Sequence, residues 1–343
     1  MVSITIVTCN SAKYLEECFA AVQAQDYRDL EVVIFDNGSD DGTREILRRV
    51  ESKWRVIYHD KNIGFAGGQN RAIAASRGDW VLCLNPDLVI SSDFVSQLLA
   101  AAEQFPDAGT ICGKLLRWDP DHEPHKTNII DSTGMYFTPN MRHLDRGAEE
   151  TDRGQYNRAQ YVFGASGAAV FFRRDFINDV SVEGEFFDED FFAWREDADL
   201  AWRAQVLGWK CVYTPKAVGW HVRRVTPERR EKLPLLVNWH SVKNRFLMRG
   251  KNASGWLCWR LFFPVLWRDI MTFGYAIVRD RRLFSATIYW WKVRDSVRRK
   301  RAIIQAKRRV SDRELVWWFS NTPRAVDAPE AHEQSAISSQ PFS

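Results

Sequence analysis

The chain has little that would tie it to disulfides, zinc or export. Its six cysteines (Cys9, Cys18, Cys83, Cys112, Cys211, Cys258) include no Cys-x-x-Cys pair, and most lie in apolar runs. That is the pattern of reduced, buried thiols in the cytosol rather than of a disulfide framework or a zinc site. No signal-peptide pattern is present, because Ser3-Ile4-Thr5-Ile6-Val7 begins a strand at once, and a cytoplasmic location is expected. Long apolar runs are also missing. The nearest approach, residues 256–278, is interrupted by Arg260, Pro264, Arg268 and Asp269, which makes it a poor bilayer span. There is no internal repeat and no dinucleotide-type glycine spacing. No recognition motif accompanies the basic clusters, so nucleic acid is not an expected partner.

What is present is an ordinary globular composition. Of 343 residues 45% are hydrophobic, enough to bury a core, and the length suits one large α/β domain with additions or two domains. The net charge of +4 conceals an asymmetry. Residues 279–309 hold twelve Lys or Arg against two Asp, a surplus of +10 that leaves about −6 for the remainder. Preceded by the Trp-, Phe-, Leu- and Ile-rich stretch 256–278, this run suits an interfacial helix facing anionic lipid. It equally suits a helix packed on the rest of the chain with a solvated basic face.

Strands and helices alternate from the start. Residues 3–8, 30–35, 55–59 and 80–84 read as strands. Between them, Ser11 and Thr43 are candidate helix caps, and a third helix spans about 69–76. Such alternation predicts a parallel sheet with right-handed crossovers. After a helix over 93–105, the polar segment 119–160 reads as loops over a site. Strand-like 170–172, a helix over 196–207, a strand over 210–213 and a helical C-terminal region follow. The Pro-, Ala-, Ser- and Gln-rich end is expected to be disordered.

Two acidic stations stand where strands should end. Phe35-Asp36-Asn37-Gly38-Ser39-Asp40-Asp41-Gly42 follows Val32-Val33-Ile34, and Asn85-Pro86-Asp87 follows Trp80-Val81-Leu82-Cys83-Leu84. Ligands of open parallel sheets bind at the carboxyl ends of the strands. Asp36 there can accept the imide N–H of a pyrimidine, with Thr8 and Asn10 ending the neighbouring strand. Asp87 is the candidate ligand for a hard divalent cation on a diphosphate. Gly64-Phe65-Ala66-Gly67-Gly68-Gln69-Asn70-Arg71 offers a close backbone approach to the nucleotide, with Arg71 near phosphate charge. Asp197 shares a helix face with Leu200, Ala201, Ala204 and Gly208, so this carboxylate points into the domain as a positioned base or a structural cap. Glu196 points to one side, and Asp199 with Arg203 forms a stabilising i, i+4 pair. His221 could add a metal contact opposite Asp87. His240, Lys243, Asn244 and Arg245 are candidates for the acceptor or diphosphate side.

Together these residues resemble the family 2 inverting glycosyltransferases of GT-A fold, and most closely the rhamnosyltransferase-like branch that builds bacterial surface polysaccharide. The likeness rests on Val7-Thr8-Cys9-Asn10, Asp36-Asn37-Gly38-Ser39, the 62–70 run, Leu84-Asn85-Pro86-Asp87, the 196–203 run and His221, in consistent order over about residues 2–245. It implies a catalytic domain over 1–225 (a donor half, 1–118, and an acceptor half, 119–225). A helical basic and aromatic region over 226–320 and a disordered tail over 321–343 would follow. The implied partners are a nucleotide-diphosphate sugar donor and a glycan or lipid-linked acceptor, with Mg²⁺ or Mn²⁺ as cofactor and attachment at the inner face of the cytoplasmic membrane. By resemblance, Asp36 reads the pyrimidine, with Thr8, Asn10, Asn37, Gly67, Asn70, Arg71, Asn85 and Glu196 on the donor side. Asp87 and His221 hold the metal, and Asp197 deprotonates the acceptor hydroxyl. One departure stands out: many members carry Asp where this chain has Asn85. Thymidine sugars lack the 2′-hydroxyl that such an acid often serves, so a dTDP donor such as dTDP-rhamnose is expected, with a UDP-sugar-dependent enzyme as the first alternative and a non-catalytic nucleotide-sugar or nucleic-acid binder as the less favoured one.

Overall fold

The apolar runs of the first eighty-odd residues become a parallel block covered by helices on both faces. In this computed structural model, which describes residues 1–123, 125–223, 235–278 and 283–327, the strands are β1 (Val2–Thr8), β2 (Leu30–Asn37), β3 (Arg55–His59) and β4 (Trp80–Leu84). The helices α1 (Ala12–Gln23), α2 (Thr43–Arg48) and α3 (Gly64–Ala74) join them. β1 pairs in parallel with β2 and β4, and β2 with β3. Ile4 and Ile6 meet Leu15, Cys18 and Phe19 of α1 on one face, while Val7, Val33 and Phe35 meet Ala72 of α3 on the other. Burial on both faces is why these strands read as continuous rather than alternating apolar runs. Helix starts differ from expectation. The Ser11 hydroxyl turns back to Cys9 instead of capping α1. α2 is preceded by Gly42 at φ +95°, with the Thr43 hydroxyl bonded to Asp41. α3 begins at Gly64, five residues early.

Larger departures follow β4. The elements are β5 (Leu88–Ile90), α4 (Phe94–Gln104), β6 (Ala108–Trp118), β7 (Lys126–Ser132), β8 (Met135–Phe137), β9 (His143–Asp145), β10 (Gln160–Val162), β11 (Ala169–Arg173), α5 (Arg174–Val180), a 3-10 turn at Glu189–Phe191, α6 (Glu196–Val206) and β12 (Lys210–His221). The segment expected as loops therefore carries β7, β8 and β9. In the large sheet the order is β13-β10-β12-β6-β11-β4-β1-β2-β3, where β13 is Val326–Asp327. β11 runs antiparallel to β4 and β6, and β12 runs parallel to β6. The sheet is thus mixed around a parallel core. β13 pairs with β10, so order extends past residue 321, where the tail was expected to begin; residues 328–343 lie outside the described residues. Of the six free cysteines, Cys9 and Cys258 are exposed and four are buried.

The C-terminal region is helical: α7 (Leu235–Asn252), α8 (Gly255–Arg260), α9 (Phe262–Val278), α10 (Phe284–Ala306) and α11 (Asp312–Trp317). Part of the basic run pairs with acids of the preceding domain, while residues 279–282 lie outside the described ones. Lys300 Nζ sits 2.7 Å from Asp188, 2.9 Å from Glu185 and 3.1 Å from Asp190. Arg309 meets Asp179 at 3.0 Å and Arg299 meets Glu183 at 3.2 Å. On the other side of Asp188, Lys251 of α7 bridges to Asp199, which Asn252 also contacts at 2.7 Å. Asp199 thus takes its close partners from α7, with Arg203 further off at 4.0 Å. α6 is buried nearly all round because α7 covers the side turned away from the sheet.

Candidate active site

Strand register brings the first station to the sheet edge. Thr8 lies beside Asp36 across β1 and β2, and its hydroxyl donates to Asp36 Oδ1 at 3.1 Å. Asp36 Oδ2 accepts from Arg44 Nε at 2.8 Å and from the Ser39 N–H at 3.4 Å. Asp36 is fully buried, and Arg44, whose side chain is 30% exposed, lies over it. Asn10, at φ +52°, accepts from the Asp40 N–H. Asn37 donates to the Gly64 carbonyl and accepts from the Ile63 N–H, stapling β2 to the start of α3.

The second station depends on two strands the sequence did not reveal. β5 pairs antiparallel with the far end of β12, setting His221 against Leu88, and the Val222 N–H donates to the Asp87 carbonyl. This pairing places His221 Nε2 3.6 Å from Asp87 Oδ1. The other ring nitrogen, Nδ1, is 2.9 Å from Asp131 Oδ2 of β7, and Arg117 and Arg223 flank Asp131 at 3.1 and 3.3 Å. Burial opposes a charge on His221, but Asp131 and then Asp87 outweigh it and raise its pKa to about 10. A carboxylate on Nδ1 with Nε2 turned toward a second carboxylate is an arrangement that suits a metal, since it fixes the ring for ligation. A dication would take the place of the proton held there. Among the described residues no three His, Cys, Asp or Glu side chains form a full cage. Asp87 and His221 therefore fit a cation that draws its remaining ligands from a diphosphate and water.

The third station is held by backbone. Asp197 Oδ2 accepts from the Gly167 N–H at 3.0 Å, and Oδ1 from the Ala198 N–H at 2.7 Å. The next residue, Ala168, accepts from the Asn85 N–H at 2.8 Å. Gly167 and Ala168 thus tie the start of α6 directly to the end of β4, and a side chain at Gly167 would press on Asp197 Cβ at 3.3 Å. Asp36 stands two strands from this point, about 10 Å away at ordinary strand spacing. Burial raises the carboxyl pKa of both Glu196 and Asp197, and Asp197 adds its charge to the upward push on Glu196. Asp197 has two N–H donors, whereas Glu196 Oε2 has no partner. Within the pair, burial and the neighbouring charge favour the proton on Glu196, and the two N–H donors favour the charge on Asp197.

Other expected site residues make contacts within the protein. Gly67 lies in α3, where a Cβ would stand 3.2 Å from the side chain of Ile63 just before the helix. The Asn70 side chain exchanges hydrogen bonds with the Phe187 backbone, and Arg71 pairs with Glu189, so both tie α3 to the loop before α6. Gly64, at φ +85°, lets Phe192 approach where a Cβ would stand 2.4 Å from its carbonyl oxygen. His240 stacks on Phe192 and lies tilted against Trp194. Lys243 donates to the Asp190 carbonyl at 2.6 Å, and Asn244 to those of Phe191, Ala193 and Trp194. Arg245 turns to Asp269 of α9. All four side chains make contacts within the protein. Sequence reasoning missed Arg44, although α2 follows directly on the Asp36 turn. It also missed Asp131 and Arg223, for which no signal was available while β7 stayed unread.

Comparison with known proteins bears on the family and the fold. The family model "Glycosyl transferase family 2" matches residues 3–180. An N-acetylglucosaminyl-diphospho-decaprenol L-rhamnosyltransferase of Mycobacterium tuberculosis is 28% identical over 285 residues, 77% of this chain and 87% of that protein. A poly-beta-1,6-N-acetyl-D-glucosamine synthase of Staphylococcus aureus is 24% identical over 225 residues, 64% of this chain and 49% of that protein. Among solved structures, S. aureus TarS 1–349 gives a TM-score of 0.51 at 16% identity, over 89% of this chain and 88% of that one. The mannosyltransferase PcManGT from Pyrobaculum calidifontis, in complex with GDP-Man and Mn²⁺, gives 0.50 at 16% identity, over 89% and 85%. At such identities the structural likeness speaks to the fold, and the fold is GT-A.

Proposed function

The chain belongs to glycosyl transferase family 2, and we propose that it catalyses metal-dependent, inverting transfer of a sugar from a nucleotide-diphosphate donor. The favoured donor is dTDP-rhamnose, and the acceptor is a lipid-linked or other glycan in bacterial surface-polysaccharide synthesis. The observation that carries this reading is the Gly167–Ala168 link, which builds the start of α6 and the Asn85-Pro86-Asp87 edge on one short segment.

In this reading Asp197 takes the proton of the acceptor hydroxyl while that oxygen bonds to the anomeric carbon. The bond to the departing diphosphate breaks on the opposite face, so the configuration inverts. Protonated Glu196 beside it keeps a second negative charge away from the base. Asp87 and His221 would hold Mg²⁺ or Mn²⁺, which neutralises charge growing on the leaving group. A carboxylate offers four lone-pair sites, of which Thr8, Arg44 and Ser39 use three at Asp36. The fourth would read the pyrimidine imide once Arg44 swings aside. Neutral Asn85, in place of an acid that would serve a 2′-hydroxyl, is the feature that favours a deoxyribose donor. A lipid-linked acceptor resides in a bilayer, so the reading includes peripheral attachment at the inner face of the cytoplasmic membrane. Among the described residues no helix is long and apolar enough to cross one. The inward pairing of Lys300 speaks against a nucleic-acid role for its basic cluster.

The test is nucleotide release from a panel of dTDP, UDP and GDP sugars with Mn²⁺ and a polyprenyl-diphosphate saccharide. Tighter binding of UDP than dTDP rejects the thymidine assignment in favour of a UDP-sugar. Release from none of the donors rejects the reading as a whole.

A further inference from the structure

A helix at a protein surface ordinarily turns its apolar stripe inward; α9 does the reverse. Its polar side chains face the protein. Asp269, only 16% exposed, meets Arg245 at 2.7 Å and Arg249 at 2.8 Å, and Thr272 accepts from Arg245 at 2.8 Å. The opposite face presents Phe263 (80% exposed), Trp267 (67%), Ile270, Met271 and Val278, and Trp259 of α8 continues it. Of the 19 large hydrophobic residues exposed among the described ones, 14 lie between 256 and 291, so this is one concentrated surface rather than scattered exposure.

Charge selects the occupant. Among the described residues from 255 to 294, Arg260, Arg268, Lys292 and Arg294 stand against a single acid, Asp269, which is committed inward. A surface of one sign repels a second copy of itself and attracts anionic lipid headgroups. Its tryptophans are of the kind that settle at a lipid–water boundary. Between α7, α8, α9 and α10 lies a groove of about 520 Å³ lined by Phe246, Cys258, Phe273 and Trp290 with Arg249 and Arg301, space of a character that an acyl chain fills.

We infer that the outer face of α8 and α9 docks on an anionic bilayer, with α9 lying in the headgroup plane. This deepens the membrane attachment included in the transfer reading, yet vesicle binding needs neither donor nor turnover, so either can fail while the other stands. The experiment is sedimentation of the full chain with phosphatidylcholine vesicles and with vesicles containing about one-third phosphatidylglycerol. The wild type should bind the anionic vesicles more tightly, and less so at high salt. The Phe263→Glu, Trp267→Glu double variant changes only exposed positions. It should keep its melting temperature and nucleotide release toward a water-soluble acceptor, while vesicle affinity falls at least roughly tenfold. Absence of binding to either vesicle, or undiminished binding by the variant, overturns the inference. So does a wild-type dimer in vesicle-free solution that the variant converts to monomer, since the occupant would then be a second copy.

Discussion

Asn244 offers the sharpest test of how the base is held. The turn before Asp197 contains three non-glycine residues in the left-handed region, Phe192 (φ +67°), Trp194 (+65°) and Arg195 (+71°). Such conformations cost on the order of 1–3 kcal/mol each and persist only if something outside the turn over-determines them. Fully buried Asn244 is that constraint: its amide nitrogen lies 3.0, 2.8 and 2.6 Å from the carbonyls of Phe191, Ala193 and Trp194. In Asn244→Ala those carbonyls lose their shared donor. An unpaired buried acceptor costs roughly 1–3 kcal/mol, so a stability loss of about 2–4 kcal/mol is expected once the turn relaxes. Relaxation moves the residue pair leading into α6, and displacement of a base by about 1 Å lowers turnover on the order of a hundredfold. Donor affinity should hardly change, because Asp36 and Asp87 sit on other elements. Calorimetry for donor binding and nucleotide release for turnover separate the two effects. Asn244→Asp fills the same space but turns an acceptor toward three acceptors, so it should be at least as damaging. If either variant loses stability yet keeps kcat within about twofold, the turn does not position the base and the reasoning fails.

Four further outcomes follow from the same geometry. Asp197→Asn should keep donor binding in calorimetry and lose roughly 10²–10⁴ in turnover; normal turnover would remove it as the base. Glu196→Gln copies the protonated acid, so turnover should stay within about tenfold of wild type, and a loss matching that of Asp197→Asn would refute the division of charge between the two. Asp87→Ala, or chelation of the wild type, should abolish the Mn²⁺-dependent part of donor affinity measured by titration with and without metal. Burial first, and the Lys243 charge second, hold the His240 pKa down to about 4 against an ordinary 6.5. The folded protein therefore keeps His240 neutral where the unfolded chain would protonate. Its contribution to stability is complete above pH 6.5 and disappears as the pH falls toward 4. Urea unfolding across that range should show a steeper rise of stability with pH in the wild type than in His240→Phe, where the remaining slope comes from other groups such as buried His143.

The parallel block was legible because continuous Val, Ile and Leu runs followed by Gly, Asn and Asp punctuation have few other solutions. The acidic stations could be found for the same reason: Asp36 and Asp87 stand where those runs stop. β7 was not legible, because Lys126-Thr127-Asn128-Ile129-Ile130-Asp131-Ser132 carries a buried acid in place of an apolar residue. Asp131 is tolerated there only because His221, Arg117 and Arg223 converge on it from distant parts of the chain. β12 read as ending near Tyr213 because Pro215 and Lys216 interrupt it. The interruption is a register irregularity between Tyr213 and Val218, after which pairing with β6 resumes. The packing of α10 was open in the sequence for a related reason: the acids that meet part of the basic run, Asp179, Glu183, Glu185 and Asp188, lie more than a hundred residues upstream. Non-local pairing is why β7 and the far half of β12 went unread.

Asp199, Lys251, Asp188 and Lys300 line up in the interior as alternating charges shared among three helices and a turn. Each interior member answers to two neighbours, so neutralising one strands a bare charge in low dielectric, where its cost is several kcal/mol. Lineages of this chain can therefore alter these four positions only in matched steps, and a swap at one without its neighbour would mark a protein whose C-terminal helices no longer sit against the catalytic core.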